Sequence, residues 1–326
     1  MLQWLLPATC NLPPATFPDT WHMLLRRVLL HAADRPFIRH FMLHSRAARA
    51  LALRFVAGEK VEDLLGAAQA VGEAGFSASL DYLGENVTQL SEAEAARDVY
   101  LGLLDKIQAR GLNTNVSVKL TQLGLDLSQP RCQEHVAAVV ERAASYGNFV
   151  RVDMESSAYT DRTLEMVRGL RHRFGNVGAV IQSYLRRSER DVEQLLAERI
   201  RIRLCKGAYQ EPPELAFPRK ADVDASYVRL MRLLLKSGIY HAIATHDHRI
   251  IRATIEFARA EGLAGEAFEF QMLYGIRRDL QARLRDDGWR VRVYIPFGSH
   301  WFPYLTRRLA ERPANLLFFL KNVLRG

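Results

Sequence analysis

Cysteine is scarce in this chain, and its arrangement excludes two kinds of site. The 326 residues include three cysteines, Cys10, Cys132 and Cys205, which stand far apart. An odd number of widely spaced cysteines predicts neither a disulfide framework nor a zinc site, and it favours a reducing, cytoplasmic setting. The N-terminus also lacks the charged start and the small-residue cleavage site of a secretory signal.

Long hydrophobic runs are absent as well. No apolar stretch is long enough to cross a bilayer. The 48% hydrophobic and 25% charged residues are ordinary for a soluble globular protein. A peripheral contact with the inner face of a membrane stays open, because the apolar run at 316–320 could either pack as a helix or touch lipid.

The common nucleotide and metal motifs are missing too. No Walker loop is present, and no GxGxxG segment opens a helix, so a Rossmann-type site is not predicted. His246 and His248 flank Asp247, but adjacent positions point in opposite directions and no second ligand group stands at helical spacing. The sequence therefore predicts no metal site. No His–Asn or His–Asp set accompanies Cys205 in the way that a nucleophile requires.

Positive charge is in excess but is not concentrated. Lysine and arginine number 45 against 36 acidic residues, which gives a net charge of +9. The arginines are spread over the chain rather than gathered in one run or interleaved with aromatic residues. Such a pattern supports nucleic-acid binding only weakly, so no nucleic-acid partner is expected. It is equally compatible with an anionic membrane surface or an acidic ligand.

From Gly75 onward, short apolar runs alternate with amphipathic helical segments. The predicted strands lie within 76–84, 113–120, 148–156, 177–184, 200–209, 240–247, 268–275 and 290–298. Strands that alternate with helices pair in parallel, and eight such units in about 250 residues match a closed (β/α)8 barrel. We therefore predict an α/β fold with a TIM-type barrel over residues 75–326 and an N-terminal helical extension over residues 1–74. An open, doubly wound sheet is the alternative.

The predicted strands carry polar residues on one face. In the second strand, Val116 and Val118 alternate with Ser117 and Lys119, and other strands show the same alternation. The apolar face must pack against the outer helices, so the polar face points into the barrel. Because buried charge is costly without a partner, this interior predicts a polar ligand, a large cofactor or an ion-pair network.

Barrel enzymes have their active sites at the C-terminal ends of the strands. The inward-pointing residues at those ends are Asp81, Lys119, Asp153, Gln182, Arg203, His246, Gln271 and Tyr294. The strand-end lysine and aspartate also have simpler interpretations, a side chain that reaches water and a structural ion pair.

The last predicted helix, at about 303–312, follows the eighth strand and brings further candidates to the same end. Tyr304, Arg307, Arg308 and Glu311 share one helix face by their spacing. Two adjacent guanidinium groups suit a carboxylate or a phosphate, which accepts two parallel hydrogen bonds from each fork. A solvated basic helix face is the alternative.

Eight short segments resemble the proline dehydrogenase family of flavin-dependent enzymes. They are, in order, VSVKLTQLG, VRVDMES, VIQSY, IRLCKGAY, ATHD, FEFQMLYG, YIPFGSH and YLTRRLAE. Eight matches in the right order on successive units leave little room for chance similarity. The resemblance implies a distorted (β/α)8 barrel with extra N-terminal helices, and the length resembles the compact, single-function bacterial type.

The resemblance implies a set of substrate-binding residues. Arg307 and Arg308 would grip the proline carboxylate, Lys119 would add a third positive charge, and Glu311 would orient the arginines. The residues that would line the substrate ring are Tyr294, Tyr304 and Leu273.

It also implies catalytic residues and an FAD site. Asp153 would hold Lys119 and the network around the substrate, and Arg203 would donate to the flavin near its N5 atom. The other FAD contacts would be Met154, Gln182, Lys206, Gly207, Ala208, Thr245 and His246. Gln210 stands where longer relatives often have a large aromatic residue, so the packing of the adenine is expected to differ.

The reaction that the resemblance implies is FAD-dependent oxidation of L-proline to 1-pyrroline-5-carboxylate. A hydride would move to flavin N5, as the first step of proline degradation to glutamate, and the family generally passes the electrons to a membrane quinone. The residues alone leave two other functions open. One is a barrel enzyme that grips a phosphorylated substrate with the same arginines, and the other is a basic binding module for nucleic acid or lipid.

Overall fold

The computed structural model describes residues 52–311 of the chain, and the side chains of residues 52–306. The helical segments expected before residue 52 and the apolar run at 316–320 lie outside the described residues. The domain boundary near residue 74 stays a prediction for the same reason.

Eight parallel strands close into a barrel in sequence order, and the predicted fold is confirmed. Pairing of the first strand with the eighth closes the ring. Each strand lies within one of the predicted apolar runs. The strands are β1 (Ser77–Tyr82), β2 (Thr114–Val118), β3 (Val150–Val152), β4 (Val177–Gln182), β5 (Arg201–Cys205), β6 (His241–Ala244), β7 (Phe268–Leu273) and β8 (Val291–Phe297).

Helices alternate with these strands. Among the described residues, none of the helices is both long enough and apolar enough to cross a membrane. The helices are α1 (Val61–Glu73), α2 (Leu90–Ala109), α3 (Gln129–Ser145), α4 (Thr160–Phe174), α5 (Ser188–Ala197), α6 (Lys220–Lys236), α7 (His248–Ala260), α8 (Arg278–Asp286) and α9 (Trp301–Glu311).

Local signals explain several helix ends. Ser128 caps α3, because its hydroxyl accepts a hydrogen bond from the Arg131 N–H, and Pro130 suits the first turn of that helix. Asp247 caps α7 by accepting from the Arg249 N–H at 3.0 Å. Gly175 ends α4 in the left-handed conformation, with φ of 80°, which favours glycine.

The apolar face of the strands packs against the surrounding helices. Val116, Val152 and Ile202 are fully buried and belong to one continuous core with Leu104 of α2 and Val139 of α3. Each such side chain contributes about 1.5–3 kcal/mol to folding through removal of its surface from water. This outer layer is why the polar strand face can be turned inward without loss of the fold.

Two helices depart from a regular barrel. α1 contacts β1 and β8, so it covers the wall where a helix following the eighth strand would normally pack. α9 instead packs Trp301, Phe302 and Leu305 against Leu83 and Ile276, which follow β1 and β7. The last helix therefore lies at the C-terminal ends of the strands, above the barrel mouth.

Candidate active site

Arg203 spans the interior of the barrel. It lies on β5, yet its guanidinium donates to the hydroxyl of Ser117 on β2 at 2.9 Å and to that of Ser79 on β1 at 3.3 Å. Its Nε donates to Oε1 of Gln271 on β7 at 2.5 Å. None of these strands neighbours β5. The hydrogen bonds therefore pass through the barrel, which confirms that the polar strand face points inward.

A carboxylate neutralises Arg203 at the C-terminal end. Oδ1 of Asp153 accepts from Nη1 of Arg203 at 2.6 Å, and Oδ2 accepts from the Tyr294 hydroxyl at 2.7 Å. The guanidinium also stacks over the Tyr294 ring, 5.1 Å from its centroid. Burial and the nearby Asp153 raise the pKa of Tyr294 well above its ordinary value, so the phenol stays a hydrogen-bond donor. Charge-assisted bonds of this kind hold the three side chains as one unit.

Lys119 lies beside this unit and has two carboxylates around it. Its Nζ is 2.5 Å from Oδ1 of Asp81 and 3.9 Å from Oδ2 of Asp153. Burial lowers the pKa of Lys119, but the two carboxylates together raise it by more, so the ammonium stays charged. Burial also raises the pKa of Asp81, to about 6, against the opposing effect of Lys119. The barrel mouth thus holds a fixed positive charge.

Asp81 is the candidate whose role the sequence did not reveal. The resemblance gave Asp153 the task of holding Lys119, whereas Asp153 lies nearer to Arg203 and Tyr294 than to the lysine. A usable signal was present, because Asp81 pairs with Ser117 in the β1–β2 register and Ser117 is two residues before Lys119. Inward side chains at those positions are neighbours.

A second ion pair lies deeper in the barrel. Nε of Arg292 lies 2.9 Å and 3.0 Å from the two carboxylate oxygens of Glu269. The amide of Gln271 donates to Glu269 at 2.5 Å, and the same side chain accepts from Arg203. Burial would raise the pKa of Glu269, but the Arg292 guanidinium outweighs it and lowers that pKa. One continuous network therefore links the deeper layer to the barrel mouth.

Gln182 offers an unused acceptor at the mouth. Its amide Nε2 donates to the carbonyl oxygens of Met154 and Glu155, both at 3.1 Å. Its Oε1 is buried and has no hydrogen-bond partner among the described atoms. An oriented amide with a buried, unused oxygen is suited to a donor on a bound molecule. Met154 itself is buried beside the core.

Lys206 belongs to a cluster of balanced charges in the loops after β5 and β6. Its Nζ is 2.6 Å from Asp224 and 2.8 Å from Asp247, and Lys220 approaches both carboxylates as well. Burial would raise the pKa of Asp247, but Lys206 outweighs this effect and the pKa falls to about 2. The cluster fixes the loop between β5 and α6 to the start of α7.

Thr245 and His246 form the turn that follows β6. The Thr245 hydroxyl accepts from the Asp247 N–H at 3.1 Å. Nε2 of His246 accepts from the N–H of Leu273 at 2.9 Å, which ties the ring to the end of β7. An acceptor at Nε2 places the proton of the neutral ring on Nδ1.

Gly207 and Ala208 continue β5 into a close-packed loop. Gly207 has a φ of +108°, and a Cβ built there would lie 2.2 Å from Cδ1 of Tyr184. Only glycine lets the backbone lie against that ring in this conformation. The close approach seen here is to Tyr184, and the implied contact of Gly207 and Ala208 with FAD stays a prediction.

The last helix brings the remaining predicted residues to the mouth. Tyr304 on α9 is buried, and Leu273 at the end of β7 packs against the same cluster. Arg307, Arg308 and Glu311 lie on the final turns of α9, but their side chains lie outside the described residues. Their predicted roles stay predictions.

Comparisons with known proteins agree with this architecture. The family model for proline dehydrogenase matches residues 64–320. The chain is 42% identical over 308 residues to proline dehydrogenase of Deinococcus radiodurans, and the aligned region covers 93% of this chain and 99% of that protein. It is 38% identical over 302 residues to proline dehydrogenase 1 of Bacillus subtilis, with 93% and 100% covered.

A solved structure shares the fold. The crystal structure of proline utilization A from Bdellovibrio bacteriovorus, inactivated by N-propargylglycine, matches with a TM-score of 0.76 and 28% identity over 80% of this chain. This chain spans 32% of the length of that protein. The family match extends over most of the chain, and the relatives from Deinococcus and Bacillus match over nearly their full lengths. The chain therefore belongs to the proline dehydrogenase family, whose members oxidise proline in its catabolism.

Proposed function

We propose that this enzyme binds FAD at the barrel mouth and oxidises L-proline to 1-pyrroline-5-carboxylate, with a membrane quinone as the later electron acceptor. Membership in the family favours proline oxidation over a phosphorylated substrate or a non-catalytic basic module. When bound, FAD would supply the hydride acceptor for this oxidation. The chain's own residues bind, orient and shield the reactants.

The residues at the mouth fit a large, planar, polar cofactor. The buried Oε1 of Gln182 has no hydrogen-bond partner among the described atoms and is suited to a donor on the cofactor. The backbone at Gly207 lies against the Tyr184 ring, which shapes the loop that carries the residues assigned at 206–208. Arg203 is held by Asp153 and Gln271 in one orientation. We assign Arg203 to the edge of the ring near N5. The other residues assigned to hold FAD are Met154, Gln182, Lys206, Gly207, Ala208, Thr245 and His246.

An amino-acid zwitterion needs positive charge at its carboxylate. Lys119 supplies one such charge, because two carboxylates keep its ammonium protonated. Arg307 and Arg308 complete the clamp in this proposal, with Glu311 to orient them, since paired forks set the direction of a carboxylate as well as its affinity. Tyr294, Tyr304 and Leu273 line the proline ring.

We assign no general base among the described residues at the mouth. The carboxylates of Asp81 and Asp153 are already engaged by hydrogen bonds from Lys119, Arg203 and Tyr294, so neither takes the amine proton in this proposal. The proline amine therefore loses its proton to solvent before the hydride departs. After this proton is lost and before the hydride departs, α9 closes over the ligand and excludes water from the reacting centre.

The observation that carries the proposal is the charged interior. A barrel of this kind is normally filled by branched aliphatic side chains. Here the interior and mouth hold Arg203, Asp153, Tyr294, Lys119 and Asp81 in one connected network. A network of polar and charged groups at the mouth supports a site for polar reactants.

The visible absorption spectrum of the purified protein tests the proposal. We expect flavin bands that bleach when L-proline is added without oxygen, and that stay unchanged with L-valine, which has the amine and carboxylate but no ring. A soluble quinone should then restore the oxidised spectrum. A colourless protein that cannot be reconstituted with FAD, or a flavin that stays oxidised in the presence of L-proline, would contradict it.

A further inference from the structure

A basic cavity opens at the end of the barrel opposite the active site. Its volume is about 390 Å³, and it is lined by Arg171, Arg199, Arg201 and Tyr240 together with the adjoining backbone. The cavity lies where β4, β5 and β6 begin. Conventional barrel chemistry takes place at the other end of the strands, so neither catalysis nor cofactor binding explains it.

The three arginines have no carboxylate partner among the described residues. The guanidinium of Arg171 donates to the carbonyl of Gly175. Glu198, next to Arg199 in the sequence, is paired with Arg168 at 2.9 Å. Glu269, which the Tyr240 hydroxyl contacts, is paired with Arg292. The cavity therefore concentrates positive charge that nothing in the described part of the chain neutralises.

Arg201 is positioned by aromatic rings rather than by an acid. Its guanidinium lies 5.2 Å from the centroid of Phe149 and 5.5 Å from that of Tyr240. Stacking of this kind fixes the plane of the guanidinium and leaves its N–H groups available at the edge. The Tyr240 hydroxyl donates to Glu269 at 2.9 Å, so the ring itself is anchored.

Arg199 occupies a backbone conformation in which glycine is favoured. Its φ is +52°, in the left-handed region. A glycine there would remove the strain, and the chain carries a long cationic side chain instead. Arg199→Gly is therefore a suitable test substitution, because it removes the charge and glycine adopts this backbone conformation easily.

We propose that this cavity binds a phosphate-bearing anion through Arg171, Arg199 and Arg201. A guanidinium fork matches two oxygens of a phosphate with parallel hydrogen bonds. Three such groups without a carboxylate partner among the described residues suit a multiply charged anion, and the cavity volume of about 390 Å³ suits a small phosphorylated molecule. A lipid headgroup carries the same chemistry and is the other source. The site is independent of the proposed FAD-dependent reaction.

Calorimetric titration of the full-length protein with inorganic pyrophosphate tests the proposal. Wild type is expected to bind one pyrophosphate, and Arg199→Gly to weaken binding about tenfold or more, as loss of a charge-assisted bond requires. Arg277→Gly is the matched control. Arg277 also has positive φ, +49°, but it pairs with Asp279 outside the cavity. Thermal unfolding of each variant checks that the fold is retained.

A second arm separates the two sources of phosphate. Sedimentation with vesicles of phosphatidylcholine, with and without phosphatidylglycerol, is measured for the same three proteins. Binding to anionic vesicles alone, lost in Arg199→Gly and kept in Arg277→Gly, would support the site with a lipid headgroup as its ligand. Equal binding by wild type and Arg199→Gly in both assays, or binding in neither assay, would overturn the proposal.

Discussion

Burial and the neighbouring Lys119 have opposite effects on the pKa of the Asp81 carboxyl group. It is 1% exposed, which disfavours its charged form, and Nζ of Lys119 lies 2.5 Å away, which favours it. Burial is the larger effect, and the pKa of Asp81 rises to about 6. The pair that places a positive charge at the barrel mouth therefore also makes the protein sensitive to pH.

The sign of that sensitivity can be tested with Asp81→Asn. The pKa of Asp81 in the folded protein lies above its ordinary value of 3.8, so folding favours the protonated acid. Its contribution to the free energy of unfolding is complete below about pH 4 and is lost as the pH rises through about 6. Asn is neutral at every pH. The stability lost in Asp81→Asn should therefore be smaller at about pH 7.5 than at about pH 4.5.

Urea unfolding of both proteins at the two pH values measures this difference. Glu62→Gln serves as a control for the loss of one surface carboxylate, because Glu62 forms exposed ion pairs with Lys106 and Arg110. A larger loss for Asp81→Asn at the higher pH would contradict this, because it would mean that Lys119 outweighs burial and holds the pKa of Asp81 below its ordinary value.

Residue pairing was only partly predictable from the sequence. The alternation of Ser117 and Lys119 with valines identifies the inward face, and the same reasoning places Arg203 and Asp153 inside. Alternation does not show at which level along the barrel axis each inward side chain lies, because the stagger between strands decides which inward residues meet. The assignment of Lys119 to Asp81 therefore required the observed register.

At the scale of one element, the loop after β5 depends on a single missing side chain. Gly207→Ala would place a Cβ 2.2 Å from the Tyr184 ring, at a φ of +108°. We expect a loss of more than about 1 kcal/mol in the free energy of unfolding, because both the contact and the backbone conformation oppose alanine. We also expect weaker FAD retention, since the loop that would have to shift carries Lys206 and Ala208, which we assign to FAD.

Gly102→Ala is the matched control for that substitution. Gly102 lies inside α2, where an added Cβ meets nothing within 4 Å. Alanine should raise stability there by about 0.5–1 kcal/mol, because it suits a helix interior better than glycine. Thermal unfolding and the ratio of flavin to protein after gel filtration measure both effects. Equal FAD retention in the two variants would remove Gly207 from the cofactor site.

The proposed carboxylate clamp on the last helix depends on the planar shape of the arginine side chain as well as on its charge. Arg308→Lys keeps the positive charge but loses the planar fork, so the proline KM should rise tenfold or more, which corresponds to about 1.4 kcal/mol. Arg252→Lys, on the exposed side of α7, should leave the KM unchanged. Steady-state kinetics with L-proline decides. An unchanged KM in Arg308→Lys would withdraw that residue from the carboxylate clamp.

For the whole molecule, the closed barrel and the position of the last helix at its mouth were predictable, and the packing of α1 was not. Eight apolar runs, each followed by a helical segment, determine the number of units and the parallel pairing. The segment around Val61–Glu73 reads as a helix from its periodicity, but periodicity does not say that it packs against β1 and β8. Because α1 occupies that wall, the wall is not available to α9, and this tertiary relation is not encoded by any local pattern.

The charges of the barrel interior are arranged in layers along its whole length. The Arg292–Glu269 pair lies deep, Gln271 links it to Arg203, and Asp153 joins Arg203 to the mouth. Paired in this way, the charges avoid most of the cost of burial. In our proposal, the guanidinium of Arg203 makes the flavin easier to reduce, because a fixed positive charge favours the electron-rich form.

The reduction potential of the bound flavin in Arg203→Gln tests this claim most directly. Arg151→Gln is the matched control, since Arg151 is also a buried arginine of the inward face but lies two residues before Asp153, toward the other end of the barrel. We predict a potential more negative by roughly 30 mV or more in Arg203→Gln, where 30 mV corresponds to about 1.4 kcal/mol for two electrons, and little change in Arg151→Gln. An unchanged potential in Arg203→Gln, or an equal shift in both variants, would contradict it.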